Sequence, residues 1–447
     1  MSGRSRVHCA GLWRKPDFLK LWAGQAVSEY GSLITSFALP WMAVAVLKAT
    51  PAQVALLSAA GVAPKLLLSL LAGVWVDRLK RRRLMLLADG GRVIIIGSVP
   101  VMAWLRVLGM GQLYLVTLAA SALTVVFEVA YAAYLPSLLS RDELVEGNSK
   151  IAASNAVAEV TGLGLAGVLV QALSAPGAVL VDALTFVVSV VSLLWIRGRE
   201  PEPEARASVP GDATGRAMGM RAFAVWRELR EGLGVTFGHP EPRALVGSAG
   251  VFTLFGNMLS VVLLLYLVNE KHLPAAVIGA VFGIGGISAF VGALFSARVA
   301  RRWGIGRAIT WGLGVYTGAA MLMPLAGGPV WLVVALLAVA QFSDAAHTVY
   351  DTNRASLLQA TTPGAAQGRL HATLRFVEGG ATLAGLALGG ILGQVIGAHA
   401  TLFVAAFGLL LAPLWLARSP VAALRALPSE DNEGLSARVV VEYDMSV

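Results

Sequence analysis

Apolar residues in this 447-residue chain run together in stretches of about 20 or more, separated by short polar intervals. A helix rises about 1.5 Å per residue, so about 20 residues cross the ~30 Å of bilayer hydrocarbon. Such stretches fall at about 18–47, 53–76, 84–105, 112–135, 150–173 and 176–196. After a polar break they resume at about 244–268, 275–297, 306–327, 330–353, 372–396 and 399–417. The pattern predicts an all-α membrane protein of twelve transmembrane helices. Residues 1–17 form an N-terminal segment, 18–196 one six-helix bundle, 197–243 a linker, 244–417 a second bundle, and 418–447 a polar, poorly ordered tail. The linker opens with Arg197-Gly-Arg-Glu-Pro-Glu-Pro-Glu, a flexible composition. Between Phe223 and Phe237, Val225, Trp226, Leu229 and Leu233 recur at helical spacing, with Arg227, Arg230 and Glu231 between them. This predicts a short amphipathic helix that either lies on the membrane surface or packs on the protein.

Composition supports the membrane reading. Hydrophobic residues make up 57% and charged residues only 14%, too few to cover a soluble protein of this length. The 49 glycines suit close helix packing in lipid. A net charge of +9 on a soluble protein would suggest nucleic-acid binding. Here the basic residues sit in the gaps between apolar runs, so they report topology and nucleic acid is not expected as a partner. With the N-terminus inside, the external loops hold only Lys48, Arg106 and Lys271. Internal segments hold Arg78 and Lys80 to Arg83 in one loop, and Arg298, Arg301, Arg302 and Arg307 in another. The positive-inside rule therefore puts both termini and the linker in the cytoplasm of an inner-membrane protein. Residues 1–17 are polar and basic, so the first apolar run reads as a retained helix rather than a signal peptide. One cysteine, Cys9, permits no intrachain disulfide.

The two halves repeat each other. Ala49-Thr-Pro51-Ala-Gln-Val matches His272-Leu-Pro274-Ala-Ala-Val, and Gly73-Val-Trp-Val-Asp77-Arg78 matches Ala297-Arg-Val-Ala-Arg301-Arg302. Tyr131 with Ser137-Leu-Leu matches Tyr350 with Ser356-Leu-Leu. Gly162 and Gly167-Val-Leu-Val-Gln171 match Gly385 and Gly390-Ile-Leu-Gly-Gln394. Offsets run from 219 to 224 residues in constant order. Parallel repeats of this kind build transporters with a midplane site between the halves.

Gly73-Val-Trp-Val-Asp77-Arg78-Leu-Lys80-Arg81-Arg82-Arg83 closes the second run. The glycine admits a neighbouring helix, and the aspartate can accept from a helix N-terminus or pair with an arginine. The motif resembles the major facilitator superfamily signature: glycine, three residues, aspartate, arginine, then a basic cluster. It departs at Lys80, where glycine is usual, and the second copy carries Arg301 in place of the acid. The resemblance implies a conformational latch of Gly73, Asp77, Arg78, Arg81 and Arg82 in the first half. Leu39-Pro40-Trp41, Asp182-Ala-Leu-Thr-Phe186 and Trp226-Arg-Glu-Leu-Arg-Glu-Gly232 are similar to a branch of macrolide, siderophore and actinobacterial drug exporters. That resemblance implies a monomer without cofactor, held in membrane lipid. It would export a small amphipathic molecule by proton antiport through alternating access, with helices 1, 4, 7 and 10 lining the cavity. Two antiporter features are missing: helix 4 has no arginine, and helix 5 reads Gly162-Leu163 where a Gly-Pro pair is usual.

Coupling needs a group that exchanges a proton for substrate. An intramembrane carboxylate is costly when ionised and suits that role. The spans contain Glu29, Asp89, Glu128, Glu159, Asp182, Asp344 and Glu378, and Asp351 lies near an inner end. Glu128, mid helix 4, leads the candidates, followed by Glu29 and Asp344. His347 matches Glu128 at an offset of 219 and would form a proton pair with it across the pseudo-axis. Glu159, followed by Gly162, Gly164 and Gly167, fits helix packing as well as proton transfer. Asp89 with Arg92, and Arg375 with Glu378, are three apart and read as helical ion pairs. Asp182 reads as a hydrogen-bond partner of neighbouring helices. Phe252, Phe255 and Asn257 could contact an apolar substrate or pack. No lysine is followed by Ser or Thr, so no phosphate loop is present. The six histidines have no metal-ligand spacing and no catalytic constellation appears, so neither an enzyme nor a metal site is expected. An importer without proton coupling, or a membrane signalling protein, are the alternatives.

Overall fold

A computed structural model describes residues 12, 15–76, 80–198, 234, 236–362 and 364–427, with the side chains of 69–76, 141 and 364–366 left out. Among these residues all regular structure is helical. The first bundle comprises α1 (Pro16–Trp41, ending in a π-helical turn Met42–Val46), α2 (Pro51–Val76), α3 (Arg81–Trp104) and α4 (Met110–Leu138). It closes with a helical stretch Arg141–Leu194 whose course turns at Ser174, φ 66°. As one straight rod its 54 residues would span about 80 Å. Instead both arms flank α1: Trp22 Nε1 donates to Ser154 Oγ at 3.3 Å on one side, and Lys20 Nζ to the Trp195 carbonyl at 2.8 Å on the other. The arms are α5 (141–173) and α6 (175–194).

The second bundle comprises α7 (Pro240–Leu265, ending in a π-helical turn Tyr266–Glu270), α8 (Ala275–Trp303) and α9 (Ile305–Ala320, with the short Leu322–Leu325). It is completed by α10 (Val330–Phe342 continued by Asp344–Ala360), α11 (Gly364–Val395) and α12 (Ala398–Leu409 continued by Leu411–Ala417). Among the described residues ten helical segments are long and apolar enough to cross a membrane. The one spanning α5 and α6 crosses twice. With α1, whose Lys20, Gln25 and Glu29 dilute its apolar character, the described residues make twelve crossings. An even number returns the chain to the face where it began. That face is called the near face and the opposite one the far face.

The repeat is written in the backbone. The far-face turns carry left-handed residues in matching pairs: Lys48 and His272, Arg106 and Gly328, Ser174 and Gly397, spaced 222 to 224 residues apart. The two π-helical turns also match. Ala49 N–H donates to the Ala43 carbonyl at 2.9 Å, and Leu273 N–H to the Leu267 carbonyl at 3.0 Å.

Near-face helix ends are capped by side chains that extend them past the apolar runs. Ser140 and Glu143 form a reciprocal capping box that starts α5 nine residues before residue 150, with Lys15 Nζ 2.7 Å from Glu143. Asp17 accepts from the backbone N–H of Gly198 at 2.9 Å and pairs with Lys20 at 2.8 Å, tying the start of α1 to the end of α6. The tail corrects the sequence expectation. After α12 the chain forms a 3-10 turn, Pro420–Ala423, that buries Val421 fully. Its carbonyls then cap α9: Gly306 N–H donates to Leu424 at 3.0 Å and Ile305 N–H to Arg425 at 3.4 Å. An apolar anchor and open helix-terminal donors order a segment that composition alone marks as loose. Residues 428–447, and the amphipathic segment apart from 234, 236 and 237, lie outside the described residues.

Buried apolar side chains divide unequally between the faces. In the far half one continuous cluster joins both bundles, from Ile34 and Val99 to Val262 and Leu402. In the near half there are two separate clusters, one around Phe18, Met85 and Tyr134 and one around Leu245, Ile309 and Leu357. The molecule is fused at the far face and parts into two lobes toward the near face.

A β-carbon at Gly306 would collide with the Val421 carbonyl. Gly306→Val should therefore displace the tail from α9. Losing two helix-end hydrogen bonds and one buried valine costs on the order of 2–4 kcal/mol. The expected readout is a lower thermal midpoint of purified protein and faster proteolysis after Arg418. An unchanged midpoint would show that the tail contributes no stability.

Candidate functional site

The lobes part along α5 and α8, and glycines set how closely these helices approach. A β-carbon on Gly279 of α8 would lie 2.7 Å from the Gly167 α-carbon and 2.8 Å from the Leu163 carbonyl. Backbones this close have room for hydrogen only. Gln171 Oε1 accepts from Ala276 N–H at 3.2 Å, so one bundle caps a helix of the other. The repeat supplies the equivalent contact between α2 and α11, where a β-carbon on Gly390 would lie 2.6 Å from that of Ala55. Alongside the α5–α8 contact, which continues to Gly286 against Val160, lies a cavity of about 380 Å³.

One wall is α5, which contributes Glu159 and Leu163. The opposite wall is α8, α9 and α10, contributing Phe282, Tyr316, Gln341, Asp344 and His347. The placement of Asp344 follows from an interruption of α10 at Ser343. The Ser288 hydroxyl of α8 donates to the Gln341 carbonyl at 3.0 Å and accepts from Ala345 N–H at 3.2 Å. Those bonds satisfy backbone groups on either side of the interruption. Gly292 allows the approach, since a β-carbon there would lie 2.7 Å from the Ala345 α-carbon. Asp344 thus begins a helical segment deep in the protein. His347, one turn on, packs among Phe252 and Tyr316, each 4.9 Å away, and Tyr350 at 5.7 Å.

Of the acids and histidine singled out in the sequence, Glu159, Asp344 and His347 share this cavity. Glu29 lies within electrostatic reach of Glu159, Glu128, Lys65 and Arg92, which puts Glu29 and Glu128 on the first-bundle side. Among the described residues the expected Glu128–His347 pair is not formed, and the charged groups acting on His347 are Asp351 and Arg354. Buried positions of α4 and α10 coincide 223 residues apart: Phe127 with Tyr350, Ala130 with Asn353, Tyr134 with Leu357. That register puts Glu128 opposite Asp351 instead. The cavity-lining residues lie on α5, α8, α9 and α10, so of the expected helices 1, 4, 7 and 10 it is α10 that contributes. Tyr316, Gln341 and Phe282 were not legible in the sequence, since single neutral residues in apolar spans carry no spacing signal. A Ser343-Asp344 pair in mid-span resembles a helix start and could have signalled the interruption.

Other charges are committed to partners. Arg92 is buried and lies 2.6 Å from Asp89, as expected, with its guanidinium 4.7 and 4.5 Å from the Phe127 and Phe186 rings. Ser189 donates to Asp89 at 2.6 Å. Asp182 meets the Thr185 hydroxyl at 3.3 Å. Glu378 pairs not with Arg375 but with Arg354 of α10, at 2.9 Å, and Arg354 also holds Asp351 at 2.9 Å. The guanidinium spans two helices, whereas Arg375 and Glu378 share one. Among the described residues neither Glu159 nor Asp344 forms an ion pair. Phe255 packs against Gly408 of α12, and Asn257 donates to the Thr253 carbonyl at 2.8 Å.

Of the expected latch, Asp77 and Arg78 lie outside the described residues, and Gly73 is placed only as part of α2. Arg82 donates to the Leu193 and Leu194 carbonyls at 2.9 and 3.0 Å, capping α6 of its own bundle.

The sequence model of the Major Facilitator Superfamily matches residues 21–348. The chain belongs to this superfamily. Uncharacterized MFS-type transporters of Mycobacterium bovis and Mycobacterium tuberculosis are 26% identical over 323 residues, covering 67% of this chain and 70% of each relative. A bacterial homologue of the iron transporter ferroportin, solved in an inward-facing state, superposes with a TM-score of 0.71 at 19% identity, covering 90% of this chain and 98% of that one. The nucleoside transporter NupG gives a TM-score of 0.66 at 14% identity over the same shares. At these identities the structural likeness is one of fold. The protein is a multi-pass membrane transporter of the major facilitator type.

In this transporter Arg92 and Asp89 are buried against each other, whereas Glu159 and Asp344 form no ion pair among the described residues. Asp89→Ala leaves a buried guanidinium without its counter-charge, a loss of about 3–5 kcal/mol. It should abolish monodisperse protein on size exclusion, while Glu159→Gln elutes and melts as wild type. Equal behaviour of the two variants would contradict this division.

Proposed function

We propose that the chain exports a small amphipathic molecule from the cytoplasm by proton antiport, acting as a monomer in the cytoplasmic membrane with both termini inside. The observation that carries this reading is the cavity between the bundles, closed toward the far face and bearing carboxylates from both of them, Glu159 and Asp344. Basic residues concentrate on near-face loops, which makes the near face cytoplasmic. The conformation is then inward-facing, ready to load from inside. Opening the α5–α8 and α2–α11 contacts while the near-face lobes meet would turn the same acids outward. A carboxylate presented to each side in turn can take a proton from outside and give it up inside, which couples export to the gradient. Glu29 and Glu128 extend this acidic region into the first bundle, and Asp77 with the basic cluster would latch the near face when it closes. Glu378 is the weakest proton candidate, because Arg354 already holds it.

The test is efflux of a fluorescent amphipathic dye from cells expressing the protein. Lower accumulation than in control cells is expected, and a protonophore should abolish the difference. Asp344→Asn and Glu159→Gln should each reduce gradient-driven efflux at least tenfold with normal membrane insertion. Export that survives collapse of the gradient would remove the proton from the mechanism, and net uptake would favour the importer.

A second outcome concerns the gate. Gly279→Val cannot pack against Gly167, so the far face should stay open. Dye efflux should be lost, while a cysteine introduced at Phe282 becomes reactive to an impermeant maleimide from outside. Wild-type transport in that variant would mean that the close contact is not part of the cycle.

A further inference from the structure

The cavity has a definite chemical character. Its lining residues include two carboxylates and no lysine or arginine. Two arginines within the bundles are neutralised elsewhere, Arg92 by Asp89 and Arg354 by Glu378 and Asp351. Lys65 lies within reach of Glu29 but is not in the cavity wall. The remaining surface is aromatic and apolar. Phe282 and Tyr316 face the space, and Phe252 backs His347 at 4.9 Å. Leu163 and Ala289 complete it, with Gln341 and Thr348 as neutral hydrogen-bonding groups. A volume of about 380 Å³ suits a single drug-sized molecule.

We infer that the transported molecule is an organic cation: a protonated or quaternary nitrogen, or another onium centre, carried on an aromatic or otherwise apolar body. Asp344 supplies the main counter-charge, since it lines the cavity with no ion-pair partner among the described residues. Aromatic faces attract such a cation further and accept its apolar body. Glu159 approaches from the other bundle, so a bound cation bridges both halves. An anionic substrate of the same shape would meet two carboxylates and no lysine or arginine in the wall, where His347 is the one titratable base, and this disfavours anionic chelators.

This inference rests on reading the cavity as the transport site, but its test needs no transport. Purified wild-type protein in detergent is titrated with tetraphenylphosphonium and, separately, with tetraphenylborate, which has nearly the same shape and the opposite charge. Saturable binding of the cation and none of the anion is expected, with Asp344→Asn weakening the cation at least tenfold and Asp344→Glu restoring part of it. Equal binding of both ions, no saturable binding of tetraphenylphosphonium, or a folded Asp344→Asn variant with wild-type affinity would each overturn the inference. Should Asp344→Asn fail to fold, the comparison of the two ions on wild type decides. Cation binding without gradient-driven efflux would refute the export mechanism and leave the substrate class standing.

Discussion

The contact of Gly167 with Gly279 is the constraint on which the rest depends. Between helices in lipid there is no hydrophobic drive to associate, because acyl chains are as apolar as leucine. Association then comes from close packing and from polar contacts between helices. Here the backbones of α5 and α8 touch, and Gln171 caps α8 across the junction. Its repeat counterpart, Gly390 against Ala55, does the same between α11 and α2. Two such seams hold the far half as one core, while the near half keeps a separate core in each lobe. A packed core is bistable rather than smoothly deformable. Lobes that are internally solid and joined through narrow glycine seams can rock as bodies without repacking.

Charge is distributed by the same logic. Ionic groups within a lobe are matched within it: Arg92 by Asp89, and Arg354 by Glu378 and Asp351. These pairs need not change as the lobes move, since every partner travels together. The unmatched acids lie on the surfaces that separate. An ion pair across that surface would cost energy to break in each cycle, whereas a lone carboxylate can be satisfied in turn by substrate, proton or water. The division between paired and unpaired acids is therefore expected of a machine whose lobes must part.

Much of this architecture was readable from the chain. Hydrophobic length gave twelve crossings because hydrocarbon thickness leaves little choice of element. The repeat was visible because its glycines and prolines occupy turns and seams that tolerate few substitutes, and the left-handed far-face residues now tie it to backbone geometry. Asp89 with Arg92 was legible because three residues on a helix fix their separation. Glu378 was misassigned because its partner lies on another helix, and local spacing says nothing about tertiary neighbours. The ordered tail was missed for the same reason: the open N–H groups of α9 that hold it are over 100 residues away in sequence.

The instructive failure is the pairing of Glu128 with His347. It relied on one local offset, taken from a tyrosine and a Ser-Leu-Leu run. Burial follows a different register, because a packed helix face is conserved by volume rather than by identity: Phe127 and Tyr350 fill the same place in their bundles. In that register Arg92 of α3 lies over Phe127 and Arg354 of α10 over Tyr350, so each lobe stacks a guanidinium on the equivalent ring, from a neighbouring helix in one and from the same helix in the other. The halves share their skeleton, and they diverge where the cavity forms. Asp344 and His347 have no ionisable counterparts in α4 at that spacing, where Ser121 and Thr124 stand instead. Pseudo-symmetry supplies the seams; in the proposed mechanism the asymmetric residues carry the chemistry, and a search for function by symmetry leads away from them.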